Sequence, residues 1–272
     1  MTFSKERPFV LVGAGKIGGA MLSGWMAEGI DPASILVVDP FLSPEIGALL
    51  KKHGIGHAAQ MPNNVIAGII LVAVKPQMMD DVLPGLVSAC DASTLILSVA
   101  AGTPVRKFQQ FFGDIPTARC MPNTPAMVKR GITAVYPTER VTDEQKNTIS
   151  QLLSAVGKVV WLDIEDQIDL VTGVSGSGPA YVFYMTEALK EAGKAAGLPE
   201  DLAEQLAIAT VCGAGELMHQ SGEDPAILRQ NVTSPNGTTA AALDVLMSES
   251  GIQPIMTEAV AAAVKRAKEL AG

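Results

Sequence analysis

Short apolar runs alternate with helical stretches through the first part of the chain, and this alternation limits the folds available to it. Several runs are apolar at every position, as expected for strands that are buried on both faces of a parallel sheet. Helical patterns such as 18–29 and 44–54 lie between them, which indicates right-handed βαβ crossovers. The pattern predicts an α/β fold with a doubly wound sheet. The predicted strands are 9–14, 35–40, 69–74, 94–100, 117–122, 132–137 and 158–163.

No strand pattern follows Leu162, and the rest of the chain has the pattern of helices. Pro179 can open a helix that ends at Gly197, and further helices are predicted over 200–220, 240–247 and 253–270. We therefore predict two domains, 1–162 and 163–272. The second is rich in Ala and Gly and is too apolar for a lone helical bundle. We expect it to bury surface against another subunit, with packing against the first domain as the alternative.

The charge and cysteine content argue against several classes of protein. The chain has 272 residues and a formal net charge of -8, whereas nucleic-acid binding needs clustered Lys and Arg. The apolar runs are short and interrupted, which argues against a membrane span. The N-terminus lacks the layout of a signal peptide, and Cys90, Cys120 and Cys212 are interpreted as buried thiols. We therefore expect a cytoplasmic protein.

Gly13, Gly15 and Gly18 have the spacing G-x-G-x-x-G between a predicted strand and a predicted helix. This context is typical of Rossmann domains, whose glycines allow the backbone to approach a pyrophosphate and the helix to pack on the strand. The next strand ends in Asp39, at the distance expected for the acid that binds the ribose hydroxyls. A plain turn residue is the alternative. Because a carboxylate repels a 2′-phosphate and no Arg follows it, the sequence favours NADH over NADPH.

Two further segments are expected at the carboxyl edge of the sheet, where ligands of open α/β sheets bind. The first contains Lys75, whose ammonium group could equally extend into water. The second contains small residues, which leave room for a nicotinamide. The two segments are Ala73, Val74, Lys75 and Pro76, and Val99, Ala100 and Ala101.

No obvious proton donor can be recognised in the sequence. His53, His57 and His219 are interpreted as surface residues, the first two far from the predicted cleft. Four acids are interpreted as solvating a connection and placing negative charge at a helix N-terminus: Asp163, Glu165, Asp166 and Asp169. Neither a Ser-His-Asp arrangement nor a metal-ligand spacing is found. Reduction of a C=N bond needs a weaker proton donor than alcohol or carbonyl chemistry does. An imine nitrogen is basic enough for the substrate to bring its own proton, and a hydroxyl group is sufficient to hold that proton.

The stretch from Asn231 to Leu246 combines small hydroxyl residues, a Pro and a Gly with the start of a helix. Free N–H groups at such a helix end can hold a carboxylate. A simple helix cap is the alternative interpretation.

Five motifs resemble pyrroline-5-carboxylate reductases, in the order that this family has them: GAGKIGGAM, AVKPQ, MPNTPAMVKRG, GVSGSGPAYVF and NVTSPNGTTAAAL. The resemblance implies an NAD(P)H-dependent oxidoreductase that reduces 1-pyrroline-5-carboxylate to L-proline, the last step of proline biosynthesis. It implies a dinucleotide-binding Rossmann domain over 1–162 and an all-helical dimerisation and substrate domain over 163–272. The helical domains would interlock in a homodimer, which in this family often assembles into a larger ring.

The resemblance also assigns residues. The cofactor residues are Gly13, Ala14, Gly15, Lys16, Ile17 and Gly18, with Asp39 and the two edge segments. The substrate residues are Asn231, Val232, Ser234, Gly237, Thr238 and Thr239. Thr239 matches the proposed proton donor, and Gly237 and Thr238 would offer backbone N–H groups to the substrate carboxylate.

Two residues depart from the family pattern. Asn236 stands where the family has Gly, although Asn also tolerates a positive φ. Several members have a hydroxyl or small polar residue where Asp39 stands and accept NADPH, so Asp39 puts NADPH in doubt for this chain.

Other interpretations of the residues stay open at this point. A β-hydroxyacid dehydrogenase can have the same two domains and would need a catalytic Lys, for which Lys190 and Lys194 are candidates; a solvated helix face is the simpler account. A non-catalytic dinucleotide-sensing protein is another alternative. The turn from Cys120 to Val128 could contact substrate or only link two strands.

Overall fold

The first part of the chain forms a single eight-stranded sheet in the computed structural model, which describes residues 3–271. Its strands are β1 Phe9–Val12, β2 Ile35–Val38, β3 Gly56–Ala58, β4 Ile69–Val72, β5 Leu95–Ser98, β6 Thr117–Met121, β7 Gly131–Pro137 and β8 Gly157–Trp161. Their order is β3-β2-β1-β4-β5-β6-β7-β8, with β1 paired in parallel to both β2 and β4. The predicted α/β fold and all seven predicted strands are confirmed.

Two features of the sheet differ from the prediction. The edge strand β3 has only three residues and no apolar run, so the sequence pattern did not identify it. Strands β6 and β7 are antiparallel, not parallel. The chain between them forms only a short 3-10 helix, Thr124–Val128, and a connection of this length can reverse the chain but cannot make a parallel crossover.

Helices cover both faces of the sheet. The helices of this part are α1 Lys16–Ala27, α2 Pro44–His53, α3 Met79–Val82, α4 Val105–Phe112, α5 Asp143–Ser154 and α6 Gln167–Val171. On one face, Trp25 of α1 packs against Phe9 with ring centroids 4.6 Å apart and donates its indole N–H to the carbonyl of Leu152 at 2.8 Å. On the other face, Phe108 of α4 packs in a second core with Leu83 and Ile96. These two cores fix the carboxyl ends of the strands, where the candidate site lies.

The rest of the chain is helical, as predicted. A five-residue π-helix, Thr172–Gly176, precedes α7 Gly178–Ala195, α8 Glu200–Ser221, α9 Pro225–Asn231, α10 Thr238–Leu246 and α11 Ile252–Ala271. The short helix α9 was not predicted. The described chain divides into two compact units, one reaching Ser177 and including the residues from Ala263 onward, and the other spanning Gly178–Ala262. The predicted boundary after residue 162 stays a prediction.

The unit Gly178–Ala262 has almost no core of its own. Its buried apolar residues are Ala203 and Ala207, whereas Phe183 and Val245 are 62% and 70% exposed. Cys212 is also exposed, so the prediction of a buried thiol is wrong for this residue in the single chain. The unit therefore has large apolar surfaces that are not covered within itself. In residues 3–271 no helix is both long enough and apolar enough to span a membrane.

Candidate active site

The three motif glycines occupy positions that have different requirements. Gly13 follows β1 with a φ of +89°, and a Cβ there would lie 2.9 Å from the carbonyl oxygen of Ala73. A Cβ on Gly18 would lie 2.3 Å from the carbonyl oxygen of Gly13, so this glycine allows α1 to pack against the loop. A Cβ on Gly15 would meet no atom within 4 Å, so Gly15 faces open space. Gly13 and Gly18 are thus needed for packing within the protein, whereas Gly15 leaves space beside the backbone in which a pyrophosphate fits.

Asp39 follows β2 and is held by two backbone amides. Its Oδ2 accepts a hydrogen bond from the N–H of Ala14 at 2.7 Å, and its Oδ1 accepts one from the N–H of Phe41 at 2.8 Å. The carboxylate therefore lies beside the glycine loop in a fixed orientation. His57 lies 2.8 Å through Nε2 from the carbonyl oxygen of Asp39. The expectation that His57 is far from the cleft is wrong, because β3 pairs with β2 and brings it alongside.

A cleft of about 610 Å³ opens at the carboxyl ends of β1, β2 and β4. Six of the predicted cofactor residues line it: Gly13, Gly15, Asp39, Ala73, Val74 and Lys75. Apolar side chains, among them Met61, Met78 and Leu86, form the wall beyond Asp39. An open glycine, a fixed carboxylate and an apolar wall fit the pyrophosphate, ribose and adenine of a dinucleotide, respectively.

The other predicted cofactor residues do not line this cleft. Ala14 contributes its N–H to Asp39, Gly18 packs against the loop, and Ile17 packs on the core. Lys16 lines a second cleft of about 610 Å³, beside α2 and the 3-10 helix Thr124–Val128. Pro76 begins an exposed 3-10 helix. After β5, Val99 is half-buried, Ala100 is buried and Ala101 is exposed.

The acidic stretch after β8 contains an ionic cluster that the sequence did not reveal. The side chain of Arg119, in the middle of β6, is only 3% exposed. Its Nη1 lies 3.2 Å from Oε1 of Glu165, and its Nη2 lies 3.5 Å from Oδ1 of Asp169. Glu165 and Asp169 therefore do more than solvate a connection, although Asp169 does place a negative charge in the first turn of α6, as expected. Asp163 and Asp166 are exposed. The sequence did contain one signal for this cluster. An Arg stands in an otherwise uncharged strand, and such an Arg needs carboxylate partners, which the acidic stretch after β8 could supply.

The predicted substrate loop lies within the second unit, between α9 and α10. Asn231 ends α9, Val232 and Ser234 are exposed, and Asn236 takes a φ of +60°, which confirms that Asn tolerates this position. Gly237 stands at the N-cap of α10, so no side chain caps this helix. The simple-cap alternative is thus not the arrangement observed.

The backbone N–H of Gly237 is already used within the loop. It donates to the carbonyl oxygen of Ser234 at 3.0 Å, so the expectation that it is open for a carboxylate is wrong. Thr238 and Thr239 begin α10, where helix geometry leaves N–H groups without intrahelical acceptors. Thr238 is exposed and Thr239 is half-buried.

The turn after β6 has a structural role. Asn123 accepts a hydrogen bond from the N–H of Ile132 at 3.0 Å and donates through Nδ2 to the carbonyl of Ser175 at 3.2 Å. Ser175 belongs to the π-helix, so this side chain connects the turn to that helix. Two motifs quoted from the sequence are thus joined by one amide side chain.

The candidate lysines of the dehydrogenase alternative are paired with acids. Lys190 lies 3.0 Å from Glu204, and Lys194 lies 3.2 Å from Glu191 and 3.3 Å from Glu200. The hydrogen bonds that the two ammonium groups donate to these carboxylates raise the pKa of both lysines. A catalytic base needs the opposite shift, so the arrangement favours a solvated helix face.

Comparison with known proteins decides the family. Residues 165–270 match the family model described as pyrroline-5-carboxylate reductase dimerisation, and residues 8–102 match the one described as NADP oxidoreductase coenzyme F420-dependent. The chain is 38% identical to the pyrroline-5-carboxylate reductase of Pseudomonas aeruginosa, over 96% of this chain and 95% of that one. The chain belongs to the pyrroline-5-carboxylate reductase family.

Other members of the family agree with this assignment. The reductase of Synechocystis is 39% identical, over 96% of this chain and 97% of that one. The solved reductase of Coxiella burnetii superposes with a TM-score of 0.89 at 34% identity, over 98% and 99% of the two chains. The Plasmodium falciparum protein, solved with NADP bound, superposes with a TM-score of 0.79 at 26% identity, over 98% and 99% of the two chains. The chain is thus an oxidoreductase of this family with a nicotinamide dinucleotide cofactor and a dimerisation domain.

Gly15→Ala is expected to weaken NADH binding about tenfold, or ~1.4 kcal/mol, without changing the melting temperature. The new methyl group would meet no protein atom within 4 Å but would enter the cleft in which we expect the dinucleotide to bind. Gly18→Ala is the matched comparison, because its methyl group clashes inside the protein and should lower the melting temperature. NADH titration by fluorescence and thermal unfolding measure both effects. Equal NADH affinity in Gly15→Ala and the wild type would contradict the role of Gly15.

Proposed function

We propose that this chain reduces 1-pyrroline-5-carboxylate to L-proline with NADH, using the loop from Asn231 to Thr239 to bind the substrate. The observation that carries the substrate assignment is the uncapped start of α10. Gly237 has no side chain to cap the helix, so the N–H groups of its first turn are available to a carboxylate. Since the N–H of Gly237 is already used, Thr238 and Thr239 are the proposed donors.

The chemistry asks little of acidic or basic side chains. The bound nicotinamide supplies the hydride, and the substrate nitrogen is basic enough to arrive protonated. The chain must bind the carboxylate, orient the ring and exclude water. We assign to the Thr239 hydroxyl the task of holding the proton at the ring nitrogen, because it can both donate and accept a hydrogen bond. Its place in the first turn of α10, next to the proposed N–H donors, supports this role.

The preference for NADH rests on Asp39. Two backbone amides hold its carboxylate, so it cannot easily turn away from a ligand beside the glycine loop. The following residues, Pro40 to Glu45, include neither Lys nor Arg that could bind a 2′-phosphate. A 2′-phosphate would therefore meet a fixed negative charge without a compensating positive one.

We further propose a homodimer with interlocked helical domains. Large apolar side chains of the unit Gly178–Ala262, such as Phe183 and Val245, are exposed in the single chain, and a second copy would cover them. The larger ring is expected from the family resemblance alone.

Phe183→Asp is expected to shift the protein from dimer to monomer in light scattering. Phe183 is 62% exposed in the single chain, and a buried unpaired carboxylate in the interface would be costly. Val87→Asp is the control, because Val87 is 42% exposed but lies in the first unit, and this variant should keep the wild-type mass. A dimer of unchanged stability in Phe183→Asp would contradict an interface at this helix.

A cytoplasmic location is proposed from the cysteines. Cys90, Cys120 and Cys212 are free thiols, which suits a reducing compartment. Burial raises the pKa of Cys90 and of Cys120 to about 12, so neither is a reactive thiolate at neutral pH.

The proposed function is tested with the purified protein, racemic pyrroline-5-carboxylate, and either NADH or NADPH. Oxidation of NADH with formation of proline is expected, at a higher kcat/KM than with NADPH. A hydroxyacid with NAD⁺, and its oxo-acid with NADH, serve as the comparison for the dehydrogenase alternative. Turnover of these and none of pyrroline-5-carboxylate, in folded protein, would overturn the proposal.

A further inference from the structure

A buried guanidinium group, that of Arg119 in β6, has no role in the mechanism described above. Arg119 is 3% exposed, and its carboxylate neighbours Glu165 and Asp169 are 27% and 12% exposed. Among the described residues, Nε and Nη2 of Arg119 and Oδ1 of Asp169 have no hydrogen-bond partner. Burial of such a group is costly unless it is paired, and an apolar side chain would fill a strand position more favourably. The position therefore calls for an explanation other than packing.

Arg119 connects three segments of the first unit. Oε1 of Glu165, its partner at 3.2 Å, also accepts a hydrogen bond from the N–H of Val105 at 2.7 Å. Val105 is the first residue of α4, and the loop from Val99 to Pro104 joins β5 to this helix. Asp169 belongs to α6, which continues directly into the π-helix. One guanidinium in β6 thus holds, through Glu165, the end of the loop that follows β5.

We propose that Arg119 is a positioning residue for the reaction, acting through Glu165 on the loop from Val99 to Pro104. This inference rests on the proposed function, and on the expectation from the sequence that the small residues Val99 to Ala101 leave room for the nicotinamide. The loop has a buried residue at Ala100 and another at Thr103, but its junction with α4 is fixed by the Glu165 carboxylate. A guanidinium suits this task because its planar fork can face two carboxylates at once, whereas a Lys ammonium would favour one of them.

The first variants test the connection from both ends. Arg119→Lys keeps the positive charge and removes the planar guanidinium group that can face both carboxylates. Glu165→Ala removes the acceptor for the Val105 N–H, while Glu165→Gln keeps an oxygen acceptor there and is the matched control. Arg7→Lys is the control for loss of an ion pair in general. Arg7 binds both carboxylate oxygens of Asp91, at 2.7 and 2.9 Å, and lies just before the amino end of β1, away from the carboxyl ends of the strands.

Two measurements separate positioning from stability. In Arg119→Lys and Glu165→Ala, kcat for pyrroline-5-carboxylate is expected to fall about 10- to 100-fold, as small misplacements of reacting groups can cause, with a much smaller change in the KM for NADH. Glu165→Gln and Arg7→Lys should stay close to wild type in kcat. Hydrogen exchange without ligand should be faster over residues 99–105 in the first two variants and unchanged there in Arg7→Lys.

The outcomes distinguish this inference from the proposed function. Absence of pyrroline-5-carboxylate turnover by wild-type protein would overturn the proposed function, while the hydrogen-exchange comparison would still test whether Arg119 holds the loop. Wild-type kcat and exchange in Glu165→Ala would overturn the positioning role, and so would a kcat loss in Arg119→Lys no greater than that in Arg7→Lys. If Arg119→Lys fails to fold, the Glu165→Ala and Glu165→Gln pair decides the question.

Discussion

Thr239→Val is expected to lower kcat for pyrroline-5-carboxylate about 100-fold and to leave the Kd of NADH nearly unchanged. Valine has almost the shape of threonine and keeps the backbone N–H in the first turn of α10, so only the hydroxyl is removed. The expected loss is at the low end for a proton-transfer group, because a protonated imine carries its own proton and needs the hydroxyl mainly to hold it. Steady-state kinetics and NADH titration measure the two quantities.

The adjacent residue provides a control for Thr239→Val. Thr238 is exposed and begins α10, so Thr238→Val makes the same chemical change one position earlier. It should retain most of the wild-type kcat. Thr239→Ser should recover much of the activity, because it restores the hydroxyl. Equal kcat values for Thr239→Val and wild type would exclude the hydroxyl from the mechanism and leave the helix N-terminus as the only assigned part of the loop.

Asp39→Ser is expected to change the ratio of kcat/KM for NADPH to that for NADH by about 10- to 100-fold in favour of NADPH, or ~1.4–2.8 kcal/mol. Two effects contribute. The negative charge that repels a 2′-phosphate is removed, which helps NADPH. The shorter serine side chain is also a poorer acceptor for the ribose hydroxyls, which weakens NADH binding. In addition, the N–H groups of Ala14 and Phe41 lose the carboxylate to which they donate.

Asp81→Ser is the control for net charge in the same cleft. Asp81 also lines the cleft but lies on α3, away from the contacts with the glycine loop. This variant makes the same change in charge and should leave the cofactor ratio close to wild type. A ratio in Asp39→Ser equal to that in Asp81→Ser would mean that Asp39 does not face the ribose.

Much of the cofactor cleft could be predicted because its signals are local. Hydrophobic runs indicated the strands, and the spacing of Gly13, Gly15 and Gly18 lies within one strand–turn–helix unit. Since β1 and β2 pair in parallel, the residue after each strand lies at the same edge of the sheet, and Asp39 consequently meets the glycine loop. The function of the motifs in the helical part could not be derived from local patterns in this way, and it was assigned only from the resemblance to a family.

The sequence by itself determined the α/β alternation, the glycine loop, the place of Asp39 and the membership of a reductase family. Only the tertiary structure decided the antiparallel pairing of β6 with β7, the contact of His57 with Asp39 and the buried cluster around Arg119. Arg119 and Glu165 are far apart in the chain, and no periodic pattern links an Arg in one strand to an acid beyond two later strands. Likewise, the N–H of Gly237 is unavailable to a ligand because it donates a hydrogen bond to the carbonyl of Ser234. This hydrogen bond depends on the backbone angles of one turn, which the residue types restrict but do not determine.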